Sequence, residues 1–173
     1  RRVLFRSVLV NLGERNMSRI YVGVVALLVG VSVIGGGLYA AERDRATEEA
    51  IASAMQSLDE YMVAFNARDP KAWAATLSYP HVRMASGSVR VWETEEEYAN
   101  YMDFDAFAER FGWDHSHWIS REVIGANADK VHIDTVFQRF NDKNEPIATF
   151  NSLYIVTRVD GRWGTQFRSS YAP

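Results

Sequence analysis

Two histidines separated by a single residue, His115 and His117, stand between two tryptophans in the stretch WDHSHWISREV. Imidazole can bind a metal ion, act as a general acid or base near neutral pH, or serve as a polar group on a solvated strand. If the stretch is a strand, both rings point to the same face, because side chains alternate with a period of two. The residues that share this face decide which of the three roles is chemically possible.

A hairpin predicted at the sequence ANAD brings the next strand beside the histidines. The predicted register pairs Gly125 with Lys130. It then places Arg121 opposite Asp134, and their opposite charges favour this pairing. The same register collects polar side chains from several strands on one face: His115, His117, Arg121, His132, Asp134, Asn151, Arg168 and Ser170. The opposite face is largely aromatic and carries Trp118, Ile133, Phe137, Phe150 and Phe167.

On such a polar face, a carboxylate or imidazole beside an arginine can remove a proton next to a carbonyl group, and the arginine can stabilise the oxyanion that forms. If the protein is an enzyme, we therefore expect Asp134 or His117 as base and Arg168 as electrostatic partner. The residues expected to contact a ligand are His81, Trp92, His115, Arg121 and Asn151. The alternative is that this face is the solvated or dimerising side of the sheet, the usual arrangement in antiparallel sheets.

The sequence HSH followed by Glu122 is similar to the metal-binding stretch of cupins. In a regular strand, however, Glu122 points away from both histidines, and no second cupin-like segment follows. We therefore predict no metal and no cofactor. A zinc or ferrous iron site formed by His115, His117 and Asp134 stays open as the alternative.

The composition predicts one globular domain and excludes several kinds of site. The chain has 173 residues, of which 47% are hydrophobic, and single domains are commonly about 100 to 150 residues long. Its net charge of -3 comes from 19 basic and 22 acidic residues without basic clusters, which argues against nucleic acid as a partner. The chain has no cysteine, so disulfides, thiolate nucleophiles and cysteine-bound metals are excluded.

A run of uncharged residues at 20–39 predicts a membrane-targeting segment, because as a helix it would span about 30 Å, the thickness of the hydrocarbon layer of a bilayer. Together with its flanks, at 17–40, it is interpreted as a signal peptide or a single transmembrane anchor. Residues 1–16 lack an initiator methionine and are interpreted as a non-native or truncated leader. After a linker at 41–46, the domain at 47–173 is expected outside the cytoplasm: periplasmic, secreted, or anchored at the inner membrane. The alternative is that the apolar run is a buried core helix.

Three helices are expected at the start of the domain. The spacing of apolar residues predicts a long amphipathic helix from Thr47, as N-cap, to Arg68. The pair Asp-Pro at 69–70 predicts the start of a short second helix that ends before Pro80. The capping-box sequence TEEE predicts a third helix that ends at Gly112.

Strands are expected around and after the third helix. A hairpin turning at Gly87 would place Val82, Met84, Val89 and Val91 on one face and His81, Arg83, Arg90 and Trp92 on the other. Four consecutive antiparallel strands are then predicted at 115–125, 130–141, 146–158 and 162–171, with turns at ANAD, DKNE and DG.

This order of elements resembles the NTF2-like superfamily, also called the SnoaL-like or ketosteroid-isomerase-like fold, over 47–171. The stretches that support the resemblance are ARDPKAW, PHVRMASGSVRVW, TEEEY and VDGRWGTQFRSS. The resemblance implies an α+β cone, in which three N-terminal helices pack on a curved mixed or antiparallel sheet around a pocket, preceded here by one hydrophobic membrane-targeting helix. Members of the superfamily include isomerases, dehydratases, epoxide hydrolases, cyclases, ligand binders and scaffolds without chemistry, so the fold does not choose a function.

We expect the cone pocket to bind a small, largely apolar molecule, with or without acid-base chemistry of the isomerase, dehydratase or hydrolase type. The catalytic aspartate and tyrosine pattern of the superfamily is not recognisable in the sequence. The alternative is a membrane-tethered scaffold or homodimerisation domain, similar in layout to the periplasmic component of type IV secretion systems. A hollow, polar-lined space between the first helix and the sheet would favour the first hypothesis, and a filled cone with an apolar outer sheet face would favour the second.

Overall fold

The structure of the protein is a computed structural model, and it describes residues 42–172. The interpreted leader at 1–16 and the predicted membrane-targeting segment at 17–40 lie outside the described residues. No helix within 42–172 is long and apolar enough to cross a membrane.

The first helix, α1, covers 42–66 of the described chain. Its buried side carries residues at the expected spacing of three and four: Ala50, Ala54, Leu58, Tyr61 and Phe65. The prediction that Thr47 caps this helix is wrong, because 42–46 is already helical. An ion pair between Arg45 and Glu49, at 2.9 Å and with i,i+4 spacing, supports this extra turn.

The second helix, α2 (Pro70–Ala75), starts as predicted. The side chain of Asp69 accepts hydrogen bonds from two backbone N–H groups of the first turn, at 3.0 and 2.9 Å. The helix is shorter than predicted. The hydroxyl of Thr76 closes the last turn by donating to the carbonyl oxygen of Trp73 at 2.7 Å, and Leu77 already begins a strand.

The single helix predicted between Thr94 and Gly112 is in fact two helices, α3 (Glu95–Tyr101) and α4 (Phe104–Phe111). Thr94 caps α3, and Gly112 ends α4 in the left-handed conformation, both as predicted. The break arises at Asp103, whose side chain accepts a hydrogen bond from the first turn of α4 and so starts a new helix.

Six strands form one mixed sheet in the order β2-β1-β6-β5-β4-β3. Their bounds are β1 Leu77–Ala85, β2 Ser88–Trp92, β3 His115–Asn127, β4 Lys130–Phe140, β5 Pro146–Val159 and β6 Arg162–Ser170. The predicted β1-β2 hairpin is confirmed in its register, with Arg83 opposite Arg90. The predicted meander of four antiparallel strands is also confirmed, and parallel pairing of β1 with β6 joins the hairpin to it.

The junction of β1 with β6 requires a glycine at position 164. A Cβ atom there would lie 2.7 Å from the carbonyl carbon of Leu77 and 2.8 Å from the backbone nitrogen of Ser78. Both neighbours are backbone atoms, so any larger side chain would force the two strands apart.

The four helices and the sheet enclose one main core. Its buried residues come from the helices and from one face of β4 and β5, including Ile133 and Tyr154. We call this helix-covered face the inner face and the opposite one the outer face. The layout is the predicted α+β arrangement of helices packed on a mixed sheet, although it has four helices in the described residues and not three.

The β3-β4 hairpin has a tighter turn than predicted, and two bulges in β3 then return the strand to the predicted pairing of His117 with Gln138. Asn127 pairs with Lys130, in the place predicted for Gly125. The bulges follow Trp118 and Val123, and each inserts one residue into β3 that has no partner in β4.

The predicted pairing of Arg121 with Asp134 is therefore wrong. Asp134 lies opposite Glu122 on the outer face, whereas Arg121 lies opposite Thr135 on the inner face. Arg121 reaches α1, where its Nη1 atom is 2.7 Å from a carboxylate oxygen of Asp59.

A third bulge, between Ile155 and Val156, shifts the register of β5 against β6 and exchanges the two faces of β6 beyond it. Arg168 consequently lies opposite Tyr154 on the inner face. The prediction that Arg168 shares a face with Asp134 is wrong for this reason.

Candidate functional site

A cavity of about 210 Å³ lies between the helices and the inner face of the sheet. Aromatic side chains and four arginines supply most of its lining, which consists of Tyr61, Met62, Phe65, Trp73, Arg83, Tyr98, Tyr101, Met102, Phe107, Arg110, Phe111, Ser116, Phe137, Arg139, Tyr154 and Arg168. The space between the helices and the sheet is thus hollow, as expected of a ligand-binding domain, but its lining is more aromatic than polar.

Aromatic rings from both layers form the walls of this cavity. The ring centroid of Tyr61, on α1, lies 5.4 Å from that of Trp73 and 5.7 Å from that of Tyr154, in edge-to-face arrangements. Trp73 also contacts Phe65 and Tyr98, each at 5.0 Å between centroids. Rings packed against one another in this way have little freedom to collapse inwards, so they hold the cavity open.

Arg168 is one of two buried positive charges of the cavity, with only 8% of its surface exposed. Its Nη1 donates to the hydroxyl of Tyr61 at 3.1 Å and its Nη2 to the hydroxyl of Ser170 at 3.2 Å. Its Nε has no hydrogen-bond partner among the described residues. Burial by itself lowers the pKa of Arg168. The neighbouring tyrosines, Tyr154 first, have the larger opposite effect, so the pKa lies above its ordinary value.

Arg139 is the second buried cation, with 5% of its surface exposed. Within 42–172 its side chain forms no hydrogen bond and no ion pair, and its Nε is fully buried. Phenyl rings surround the guanidinium carbon, with centroids at 4.8 Å (Phe107), 4.8 Å (Phe150), 5.4 Å (Phe111) and 5.9 Å (Phe137). Burial, and secondly the charge of Arg168, lower the pKa of Arg139 to about 10, so it stays protonated at neutral pH.

No aspartate or glutamate of the described chain lines the cavity. The acidic residue and the imidazole predicted as bases lie elsewhere: Asp134 and His117 are exposed on the outer face. Arg168, their predicted partner, lies in the cavity on the inner face. The structure therefore does not bring these three side chains together.

His115 is the first residue of β3 and does not line the cavity. Its Nδ1 is 2.9 Å from a carboxylate oxygen of Asp114 and its Nε2 is 3.2 Å from the side-chain oxygen of Asn144. The rings of His115 and His117 are neighbours, at 5.0 Å between centroids. Contrary to prediction, the bulge after Trp118 puts Glu122 on the same face as His117. Even so, no group of three or more histidine, aspartate or glutamate side chains within 42–172 could hold a metal ion.

The other predicted ligand contacts also lie outside the cavity lining. His81 is 1% exposed and donates from Nδ1 to the carbonyl oxygen of Thr165 at 2.9 Å. Its ring packs against Trp92 and Tyr98, at centroid distances of 5.9 and 5.2 Å. His81 and Trp92 therefore support Tyr98, which does line the cavity, from behind.

Arg121 and Asn151 are likewise separate from the cavity. Arg121 is held at α1 by Asp59 and by the carbonyl oxygen of Met55, at 3.2 Å. Asn151 is exposed on the outer face, opposite Val136.

Comparison with known proteins identifies the family. The family model described as NTF2-like protein (DUF6841) matches residues 48–166. The chain belongs to this NTF2-like family. No curated protein matches the sequence.

Several solved structures share the fold at low sequence identity. An NTF2-like protein with a cystatin-like fold from Novosphingobium aromaticivorans has a TM-score of 0.58 and 10% identity, and the match covers 71% of this chain and 81% of that one. A ketosteroid isomerase-like protein from Erwinia carotovora atroseptica has a TM-score of 0.51 and 21% identity over 69% and 93% of the two chains. A protein from Catenulispora acidiphila, in complex with S-DNPA, has a TM-score of 0.57 and 15% identity over 72% and 93%. At these identities the similarity establishes the fold alone.

Arg168 is a site residue predicted from the sequence, but on a face shared with Asp134, whereas Arg139, which also lines the cavity, is not among the predicted residues. The signal was present in the β4 sequence KVHIDTVFQRF, where Arg139 falls in phase with the buried Val131, Ile133 and Phe137. A charged residue in an apolar stripe must find a partner or serve a site, because an isolated buried charge is costly.

The buried state of His81 predicts a defined loss of stability in acid. Burial lowers the pKa of His81 to about 4, and the charges of Arg168 and Arg83 add to the effect. The unfolded chain takes up this proton below about pH 6.5, whereas the folded chain takes it up only near pH 4. This group therefore destabilises the fold progressively as the pH falls from 6.5 to 4, by up to about 3 kcal/mol.

Urea unfolding between pH 7 and pH 4 measures this loss in the wild type and in His81→Phe. The variant is expected to start less stable at pH 7, because the Thr165 carbonyl oxygen loses its donor, but to show a shallower decline with acid. The exposed His117→Phe serves as control and should decline in parallel with the wild type. A His81→Phe curve parallel to the wild type would contradict the assignment of His81 as a buried neutral residue.

Proposed function

We propose that this NTF2-like domain binds a small, largely apolar molecule in its cavity. The observation that carries the proposal is the hollow space of about 210 Å³ with predominantly aromatic walls. Pockets for drug-sized ligands are larger, roughly 300 to 1,000 Å³, whereas an engineered apolar cavity of roughly 150 Å³ binds benzene. The size therefore favours a compound with a single ring and one short substituent.

We propose binding as the main role and not acid-base catalysis. Among the described lining residues there is no carboxylate and no imidazole that could act as a base. Burial raises the pKa values of Tyr98 and Tyr154 well above the ordinary value, so both hydroxyls are protonated at neutral pH. Catalysis with Asp134 or His117 as base would require a substrate on the outer sheet face.

Blocking the cavity tests ligand binding. Met102 lines the cavity at the break between α3 and α4, and the larger side chain of Met102→Trp is expected to fill the space. Binding of single-ring probes, namely benzyl alcohol, benzamide and benzoate, to the purified full chain can be measured by saturation-transfer NMR. We expect at least one probe to bind the wild type and to lose binding in Met102→Trp.

Val63→Trp is the matched control, because Val63 is exposed on α1 and does not line the cavity. It adds the same indole ring to the surface and should leave probe binding unchanged. Failure of every probe to bind the wild type, or equal binding to wild type and Met102→Trp, would argue against the proposal.

We further propose that the domain acts outside the cytoplasm, exported or anchored by the segment at 17–40. The support is the uncharged run at 20–39 and the absence of cysteine, which suits an oxidising compartment. Alkaline phosphatase fused after residue 172 and produced in a bacterial host should be active, because this reporter needs export. Deletion of 17–40 should abolish its activity, and a deletion that leaves the activity intact would refute the proposal.

Self-association is a second candidate role, favoured by one apolar region of the outer face. On the β1-β2 hairpin, Val89, Val91 and Met84 are exposed to 60%, 52% and 38%. Val82 lies between Val91 and Phe167 in the sheet. The prediction that Phe167 lies on the opposite, aromatic face is wrong, because the β5-β6 bulge turns it to the outer face. Apolar patches of this kind commonly mark protein contacts, and we propose a second copy of the chain as the partner.

Light scattering coupled to size-exclusion chromatography tests this second candidate. We expect a dimer for the wild type and a monomer for the double variant Val89→Lys with Val91→Lys, since charges on the patch would have to be desolvated in a dimer. The control variant Ile124→Lys, exposed on β3, should remain dimeric. A wild-type monomer would exclude the candidate.

A further inference from the structure

Two buried cations face the cavity without a described counter-charge. Arg139 and Arg168 lie on neighbouring inner-face positions around Phe137, with guanidinium carbons at 5.9 and 5.3 Å from its ring centroid. Each has an Nε without a hydrogen-bond partner, and both are more than nine-tenths buried. Uncompensated buried charges are costly, so a pair of them in one cavity requires an explanation.

The surrounding protein compensates these charges only in part. The phenyl rings around Arg139 supply cation–π attraction but no hydrogen-bond acceptor. Arg168 donates to two neutral hydroxyls, those of Tyr61 and Ser170. The two cations also repel each other, as the effect of Arg168 on the pKa of Arg139 indicates. What is missing is an anion with acceptor oxygens.

We infer that the ligand of the cavity is a small organic monocarboxylate, whose acid group binds Arg139 and Arg168 and whose apolar body packs against the aromatic walls. This inference rests on the proposed function, since it names the class of molecule that the cavity takes. It also gives Arg139 and Arg168 a role in recognition, because a purely apolar ligand would not bind them.

The geometry favours a carboxylate over a phosphate ester. A planar guanidinium donates two parallel hydrogen bonds to the two oxygens of a carboxylate. A phosphate group is bulkier and has a third acceptor oxygen, so it would leave less of the cavity for an apolar body. A single-ring acid also fits the space of about 210 Å³.

Arg110 extends the positive potential to the surface. It lines the cavity but is exposed, with its guanidinium carbon 5.1 Å from the ring centroid of Phe111. A cation at this position would attract anions towards the interior and raise their rate of entry, an effect that salt weakens.

Isothermal titration of the purified full chain with benzoate, benzamide and phenyl phosphate tests the inference. Benzoate and benzamide have nearly the same shape and differ in charge. We expect benzoate to bind at least roughly tenfold more tightly than benzamide, because hydrogen bonds to charged groups are worth about 1.5 to 3 kcal/mol. Phenyl phosphate should bind more weakly than benzoate.

Arg139→Met removes one cation and breaks no hydrogen bond among the described residues. It should reduce benzoate affinity at least roughly tenfold and change benzamide affinity by no more than about twofold. Arg158→Met is the matched control, because Arg158 is exposed, pairs with Asp129 at 2.6 Å and does not line the cavity. It should leave both affinities unchanged.

The ligand-free Arg139→Met protein should melt at or above the wild-type temperature, because an apolar side chain replaces a buried unpaired charge. Should it fail to fold, Arg139→Lys provides the second test: it keeps the charge, loses the planar donor pair and should still weaken benzoate more than benzamide.

The outcomes separate this inference from the proposed function. Equal binding of benzamide and benzoate would overturn the inference and leave ligand binding intact. Tighter binding of phenyl phosphate would overturn the assignment to carboxylates. Absence of binding by all three compounds would overturn both.

Discussion

The bulge between Ile155 and Val156 is the feature on which the character of the cavity depends. Side chains alternate between the two faces of a strand, so one inserted residue exchanges the faces of everything that follows. This exchange brings Arg168 under the helices, opposite Tyr154 and within hydrogen-bonding distance of Tyr61. With a regular pairing, the same arginine would lie in solvent on the outer face, and the cavity would lose one of its two buried charges.

The aromatic packing between α1 and the sheet is the second requirement, because it keeps space around the charge. Tyr61 contacts Trp73 on one side and Tyr154 on the other, so one residue of α1 links α2 to β5. Edge-to-face contacts between large rings fix their positions and leave gaps that small side chains would fill differently. The hollow cone therefore results from ring geometry and not from loose packing.

Much of the fold could be predicted from the sequence because its signals are local. Caps at Asp69, Thr94 and Gly112 mark helix ends through bonds to residues only a few positions away, and the hairpin at Gly87 has a register set by its own turn.

Which side chains line the cavity depends on features that are not local in the sequence. Bulges in β3 and between β5 and β6 arise from the fit of strands to the curved cone, which no short stretch of sequence encodes, and they moved Arg121 and Arg168 to the other face. Arg139 is the exception, since its position in an apolar stripe is visible in the sequence. A buried arginine at this position is better explained by ligand binding than by the requirements of the fold. The fold alone would be equally stable or more stable with an apolar residue of similar volume at this position, because burying an unpaired cation costs several kcal/mol in general. Local rules are broken most often where function requires it, and here the broken rule is a buried positive charge among phenyl rings. Binding of an acid would remove the conflict, because the ligand would supply the acceptor oxygens and the negative charge that the described lining lacks.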